Sequence, residues 1–266
     1  MKKSLMLATF AAAVLTFCGG RETQEKPVPA SAPDTATAFT DRRDGQVYRI
    51  VKIGRQIWFA ENLNYAAEDS KCFGEDGKIF IKTLIERDDN NKIKSIKDIT
   101  ETLSDTEVQA NCDKYGRLYT WEAAMKACPA GYHLPTFAEW DTLGKSVGGD
   151  KYDADGFTAG VGEKLKSTSG WDDCKGKSGN GTDEYGFAAL PGGITYGRGD
   201  YGSTFTNTAG KRGEGWSATE RKICIDDHDC GWYNAESRVM DCCYGGLPLS
   251  FADKDEFRSV RCVRDD

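Results

Sequence analysis

Ten cysteines in 266 residues are the side chains with the most chemistry to offer. After Cys18 they fall at 72, 112, 128, 174, 224, 230, 242, 243 and 262, with no Cys-x-x-Cys among them. The chain holds only two histidines, so a zinc cluster has little to build on. Cross-linking in an oxidising compartment is the chemistry this set supports. His133, between Tyr132 and Leu134, sits where a histidine bonded to backbone is expected. His228 stands among Asp226, Asp227 and Asp229, which read as a solvated acidic loop without a metal. No glycine-rich phosphate loop follows a strand and no Gly-x-Ser-x-Gly occurs, so the sequence presents no catalytic centre and calls for no cofactor. Of the six tryptophans, Trp58, Trp121, Trp140 and Trp216 lie inside apolar patterns and are expected in the core. Trp171 and Trp232, flanked by polar residues and glycine, are the candidates for a ligand-binding surface, with Tyr196 and Tyr201 beside them.

The elements that must position these residues begin after a leader. Lys2 and Lys3 precede an apolar run from Leu5 to Phe17, too short for a finished membrane span, so residues 1–17 read as a signal peptide. Leu15-Thr16-Phe17-Cys18-Gly19-Gly20 resembles the cleavage site of bacterial lipoproteins, which makes Cys18 the lipidated residue; Phe17 departs from the small residue usual there. With Cys18 acylated, nine cysteines remain, and an odd number leaves at least one thiol free or bridged to another chain. Residues 18–38, rich in Pro, Ala, Thr and charge, cannot bury a core and read as a disordered tether. Losing a leader with two lysines and no acids takes the net charge from −7 to −9, which disfavours nucleic acid and anionic membrane surfaces. Residues 39–266 suffice for one domain with a sizeable core.

Within that domain, two β-rich runs, 47–53 and 56–59, flank Gly54-Arg55 and predict a hairpin. Residues 73–111 are mostly charged and predict a surface excursion with a hairpin turning at Asp89-Asn90-Asn91. Trp121, Ala124, Met125 and Cys128 fall on one helix face, ending before Pro129. Thr136-Phe137-Ala138-Glu139 is a capping box, so a helix starts there, with Trp140, Leu143 and Val147 as its apolar face and Gly148-Gly149 as its stop. A short third helix is expected over 162–167, then strands at 186–190, 215–219, 231–237 and 258–263 separated by Gly-rich loops. Helices early and strands late make this an α+β domain.

Five ordered strings then carry a resemblance. Tyr115 to Ala124 (YGRLYTWEAA) continuing through Ala127 to Thr136 (ACPAGYHLPT) and Glu139-Trp140, Trp58 to Leu63 (WFAENL), Tyr185 to Gly193 (YGFAALPGG), Trp216 to Glu220 (WSATE) and Ser259 to Asp265 (SVRCVRD) resemble the Fibrobacter succinogenes major paralogous domain. The resemblance implies a C-type-lectin-like fold, alongside the formylglycine-generating group: two helices on a twisted antiparallel sheet, long loops on one side and termini close together. Residues 73–111 are longer than the family's usual connection. The resemblance, with the closing of an element boundary by each bridge, pairs Cys72 with Cys112 and Cys128 with Cys262. On the chain-entropy model the latter would stabilise by up to ~5 kcal/mol. Cys224 is expected to pair with Cys230, and Cys174 with Cys242 or Cys243, leaving one of that vicinal pair over.

A fold does not fix a function. The calcium-binding tripeptides of sugar-binding C-type lectins are absent, and Trp171-Asp172-Asp173 and Trp232-Tyr233-Asn234 are only partial look-alikes. Two functions follow as expectations. One is an exported protein, lipid-anchored at the bacterial outer membrane or cell surface, binding a polysaccharide or protein through loops 170–184, 196–214 and 221–229. The other is an envelope enzyme related to formylglycine-generating proteins, which needs a reactive thiol pair.

Overall fold

The computed structural model describes residues 37–75, 79–88, 90–149, 152–153, 156–157, 160–197, 203–223 and 232–265. Its framework begins with the expected hairpin, Val47–Ile53 and Gln56–Phe59, turning through Gly54 at a φ of 62°. Thr37–Thr40 and Val263–Asp265 complete a four-stranded antiparallel sheet that joins the two ends of the domain. Both faces of this sheet contribute buried side chains, which enter two different clusters. Val51, Ile53 and Trp58 enter one core cluster with Trp140, Leu143, Phe187 and Leu247. Tyr48, Ile50 and Phe59 enter another with Tyr119, Trp121, Trp216 and Val260.

An eight-stranded sheet is built around the long pair Arg212–Ile223 and Trp232–Asp241, with Leu247–Ala252 next to the second strand. Arg258–Ser259 joins the first strand in parallel, and the remaining pairings are antiparallel. Among the described residues four helices are few beside this much sheet: α1 (Asp105–Tyr115), α2 (Trp121–Ala127), α3 (Phe137–Ser146) and α4 (Val161–Leu165). The fold is therefore mixed α+β and sheet-rich. In α3 the capping box forms as its sequence dictates: Glu139 N donates to Thr136 Oγ1 at 3.3 Å, and Thr136 N donates to Glu139 Oε2 at 2.7 Å. Disulfides join Cys72 to Cys112 and Cys128 to Cys262, the two pairs expected from the resemblance and from the element boundaries they close.

Indole groups tie the layers together. Trp216 Nε1 donates to Tyr119 O at 2.7 Å, Trp121 Nε1 to Ser217 O at 2.9 Å and Trp140 Nε1 to Trp216 O at 3.2 Å. Each bond satisfies a buried polar atom that would otherwise cost about 1–3 kcal/mol. The buried Arg261 does the same for the loops. It donates through Nε to Asn62 Oδ1 at 2.7 Å, through Nη1 to Phe59 O at 3.2 Å and to Phe187 O, and through Nη2 to Ala188 O at 2.7 Å. Burial lowers its pKa to about 9, because neutral oxygens surround it, with Asp183 and Glu61 offsetting only part of the desolvation.

Three expectations are corrected. Residues 186–190 are not a strand: Ala188 has a φ of 50° and the carbonyls of 187 and 188 turn inward to Arg261 instead of entering a ladder. The third helix is α4, ending at Leu165 and not at Ser167. The excursion at 73–111 holds, besides its hairpin, most of α1, whose capping box is Ser104 with Glu107 and whose Cys112 and Tyr115 are buried. The hairpin itself, Ile79–Arg87 with Ile93–Glu101, is rooted in a small cluster of Phe73, Ile79, Leu118, Phe205 and Phe257. Beyond that root it leaves Leu84, Ile85, Ile93 and Ile96 exposed. Replacing residues 83–98 by an Asn-Gly turn should therefore leave urea stability within about 1 kcal/mol of the parent protein. Loss of cooperative unfolding in the shortened protein would show that the arm belongs to the core.

Candidate functional site

The most chemically distinctive concavity lies where the loop after α4 meets the turn after strand Trp232–Asp241. Close approach begins with glycine: a Cβ on Gly162 would collide with Gly246 O, and one on Gly179 would reach Asp172 O and stand 2.7 Å from Cys242 Cβ. The Cys174–Cys243 disulfide staples the loop to the turn. Lys166, buried at the end of α4, holds the same turn from below, donating from Nζ to Asp241 O at 3.0 Å and to Tyr244 O at 3.5 Å. Burial lowers its pKa, with Asp241, Cys242 and Glu163 opposing the shift. The ammonium also lies 5.1 Å from the Trp171 ring centroid.

These contacts enclose an open pocket of about 350 Å³ lined by Glu163, Lys166, Lys175, Lys177, Asn180 and the three cysteines 174, 242 and 243, with other residues of the same segments. Lys175, Lys177 and Cys243 are exposed at its rim. Among the described residues Cys242 is the one free cysteine, half-buried, with Sγ 3.8 Å from Cys243 Sγ. Burial first, then Asp241 and Asp172, raise its thiol pKa, while a backbone hydrogen bond and Lys166 pull the other way. The sulfur atoms of Cys174, Cys242 and Cys243 lie within 4.8 Å of one another. Two of the three are joined in a disulfide, so the grouping as it stands offers sulfur exchange and not three thiolate ligands.

The residues singled out in the sequence scatter. Trp171 is only 4% exposed, packed among Trp140, Leu165, Phe187 and Met240, with Nε1 donating to Ser167 Oγ and Ala189 O, both at 3.1 Å. It is a floor under the pocket loop and not a surface anchor; the loop folds over it despite its polar flanks. Trp232 opens its strand and Tyr196 lies in Thr195–Gly197, but both side chains fall outside the described residues, as do Tyr201, Cys18, Cys224, Cys230 and His228. Of the two partners open to Cys174, Cys243 forms the bridge, so Cys242 is not a disulfide cysteine but the one left over. The His133 ring meets Glu139 Oε1 at 2.5 Å instead of backbone. Hydrogen bonds from Thr136 and His133 outweigh burial and lower the Glu139 pKa, so this carboxylate serves as a helix cap. Lys166 was missed, and nothing in its local sequence marks it.

The geometry gives the five sequence strings one role. WFAENL supplies Phe59 and Asn62, YGFAALPGG supplies Phe187 and Ala188, and SVRCVRD supplies the Arg261 that binds all four. The remaining strings supply the linked Tyr119, Trp121, Trp140, Trp216 and Ser217. The sequence profile of the Fibrobacter succinogenes major domain matches residues 51–264. This chain belongs to that family. No curated protein and no solved structure matches it. The Fibrobacter succinogenes major domain thus carries its signature in the scaffold, while the pocket loop 170–181 and the 241–246 turn stand outside the signature strings.

Lys166 gives this arrangement a direct test. Lys166→Met removes both bonds to the turn, so urea denaturation should show a loss of about 1–3 kcal/mol. Chymotryptic cleavage at Tyr244 should accelerate in parallel. A variant as stable and as resistant as the parent would contradict the assigned role.

Proposed function

We propose that this protein is an exported module of the bacterial envelope, lipid-anchored through Cys18, that binds a polysaccharide or protein ligand with its loop face. In this reading the domain is a C-type-lectin-like scaffold, with two helices against twisted sheet and its two ends side by side. The observation that carries the proposal is the division of labour within the domain. The family's signature residues are engaged with one another in the core, whereas the pocket walls are a loop and a turn held to each other by their own disulfide. Loops fixed on a rigid scaffold are where binding residues concentrate.

The ligand-facing residues in this proposal are Lys175, Lys177 and Asn180, which replace Trp171 as the contact group. Lysines exposed at the rim favour ligands with carboxylate or other anionic groups. A net charge of −9 after leader removal opposes nucleic acid as that ligand. Contact with the membrane is assigned to the acyl chain alone. Among the described residues no helix is long and apolar enough to cross a membrane.

The mature protein should be screened against acidic and neutral polysaccharides and envelope proteins. We expect a specific partner whose affinity falls at least about tenfold, roughly 1.4 kcal/mol, in Lys175→Ala/Lys177→Ala with an unchanged folded spectrum. No partner, or one bound equally by the double variant, would overturn the assignment of this surface. In parallel, Cys18→Ser should move the protein from the membrane to the soluble fraction, and continued membrane association would refute the anchor.

A further inference from the structure

Lining a pocket and closing a disulfide do not exhaust what the three clustered sulfurs can do. Cys242 Sγ lies 3.8 Å from one bridged sulfur, and all three are within 4.8 Å. Both bridge atoms are therefore within a short side-chain movement of a thiol. Cys242 and Cys243 are adjacent on the tight turn where Cys243 N donates to Asp241 Oδ1 at 2.8 Å and Tyr244 N to Asp241 O at 3.3 Å. Cys174 is held opposite them by its paired backbone bonds with Lys177, at 2.7 and 2.9 Å. Either neighbour on the turn is thus placed to be the partner of Cys174.

We propose that Cys174, Cys242 and Cys243 form a thiol–disulfide exchange centre whose external substrate is an anionic, low-molecular-weight disulfide. The first step is internal. The Cys242 thiol loses its proton to solvent, and the thiolate attacks Cys174 Sγ. A Cys242–Cys174 bond forms, the Cys174–Cys243 bond breaks, and its electron pair leaves on Cys243 Sγ. Attack at Cys174 keeps the pocket loop stapled throughout, whereas attack at Cys243 would close a strained ring between sequence neighbours and free the loop. No net oxidation has occurred.

The exchange moves the thiolate from a half-buried position beside the Gly179 backbone to the exposed rim. In the second step Cys243 thiolate attacks the external disulfide RSSR, forming Cys243–S–S–R and expelling RS⁻, which takes a proton from water. One protein thiol is oxidised and RSSR is reduced to one thiol and one mixed disulfide. The pocket of about 350 Å³ has room for a peptide-sized group, and Lys175 and Lys177 at its rim complement carboxylates on R. Burial, Asp241 and Asp172 keep the Cys242 thiol protonated against the pull of Lys166, so the internal step should speed up with rising pH. The proposal does not depend on what else the pocket binds.

Oxidised glutathione, which carries carboxylates on both halves, serves as the probe. The mature protein is incubated with it at pH 8, quenched in acid, alkylated, digested and mapped with fragmentation that separates Cys242 from Cys243. We expect the glutathione adduct on Cys243 with Cys174 bridged to Cys242, and a drop of at least about tenfold in that adduct in Cys242→Ser. Cys243→Ser should contain a Cys174–Cys242 bridge and react no further. An adduct confined to Cys242 with the Cys174–Cys243 bond intact would overturn the proposal. So would no adduct on any of the three, or a Cys243→Ser protein in which Cys174 and Cys242 both alkylate as free thiols. Adducts at Cys224 or Cys230 fall on separate residues and do not enter the reading.

Discussion

A guanidinium removed from water must be met by oxygen atoms, and in this protein those that meet Arg261 come from two stretches far from it in sequence. Phe59 and Asn62 approach from the end of the central hairpin and the segment just after it, and Phe187 and Ala188 from a loop 73 or more residues before the arginine. None of the four is a carboxylate, so the folded state bears most of the desolvation penalty, seen in a pKa lowered to about 9. The group is nevertheless protonated at neutral pH and fixes four acceptors at once. That fixes the relation between the four-stranded sheet and the 183–193 loop, within which Ala188 N donates to Asp183 Oδ1 at 2.7 Å. The indole bonds then set α2, α3 and the long strand against one another.

With that frame in place, the pocket needs little of its own. Gly162 and Gly179 let two backbones touch, a buried lysine caps the carbonyls of the turn, and one disulfide ties loop to turn. Cysteine appears here in two roles. Cys128–Cys262 closes the longer loop, with a sequence separation of 134, and joins a half-buried Cys128 to a buried Cys262 in the core. Cys174–Cys243 closes a shorter one at the surface with a thiol beside it.

Local signals were legible wherever the physics is local. The Gly54 turn, the Thr136 capping box and the existence of α2 needed only neighbouring residues and formed where the spacing placed them, but α2 buries Trp121, Ala124 and Ala127 while Met125 is exposed and Cys128 lies past its end. The Ser104 to Glu107 box that starts α1 was present too, but it lay in a charged stretch whose buried residues, Cys112 and Tyr115, are few, so the excursion masked it. Residues 186–190 have strand-like composition and became a loop because a distant arginine claims their carbonyls. Trp171 illustrates the same limit: polar flanks suggested exposure, yet burial is decided by Ser167 and Ala189 beneath it. The odd cysteine count called for a thiol free or bridged to another chain, and the vicinal pair narrowed it to Cys242 or Cys243, but local sequence does not say which of the two reaches Cys174.

The central claim is that Arg261 organises the scaffold on which the pocket rests, and Arg261→Met tests it, since methionine fills comparable space but offers no donors. Equilibrium urea unfolding followed by tryptophan fluorescence should show a loss of at least about 3 kcal/mol, because several buried acceptors are left unpaired at about 1–3 kcal/mol each. Native-state hydrogen exchange should show the 186–190 segment opening first. Equal or greater stability, with those amides still protected, would mean that an apolar residue serves as well there, and would contradict the account.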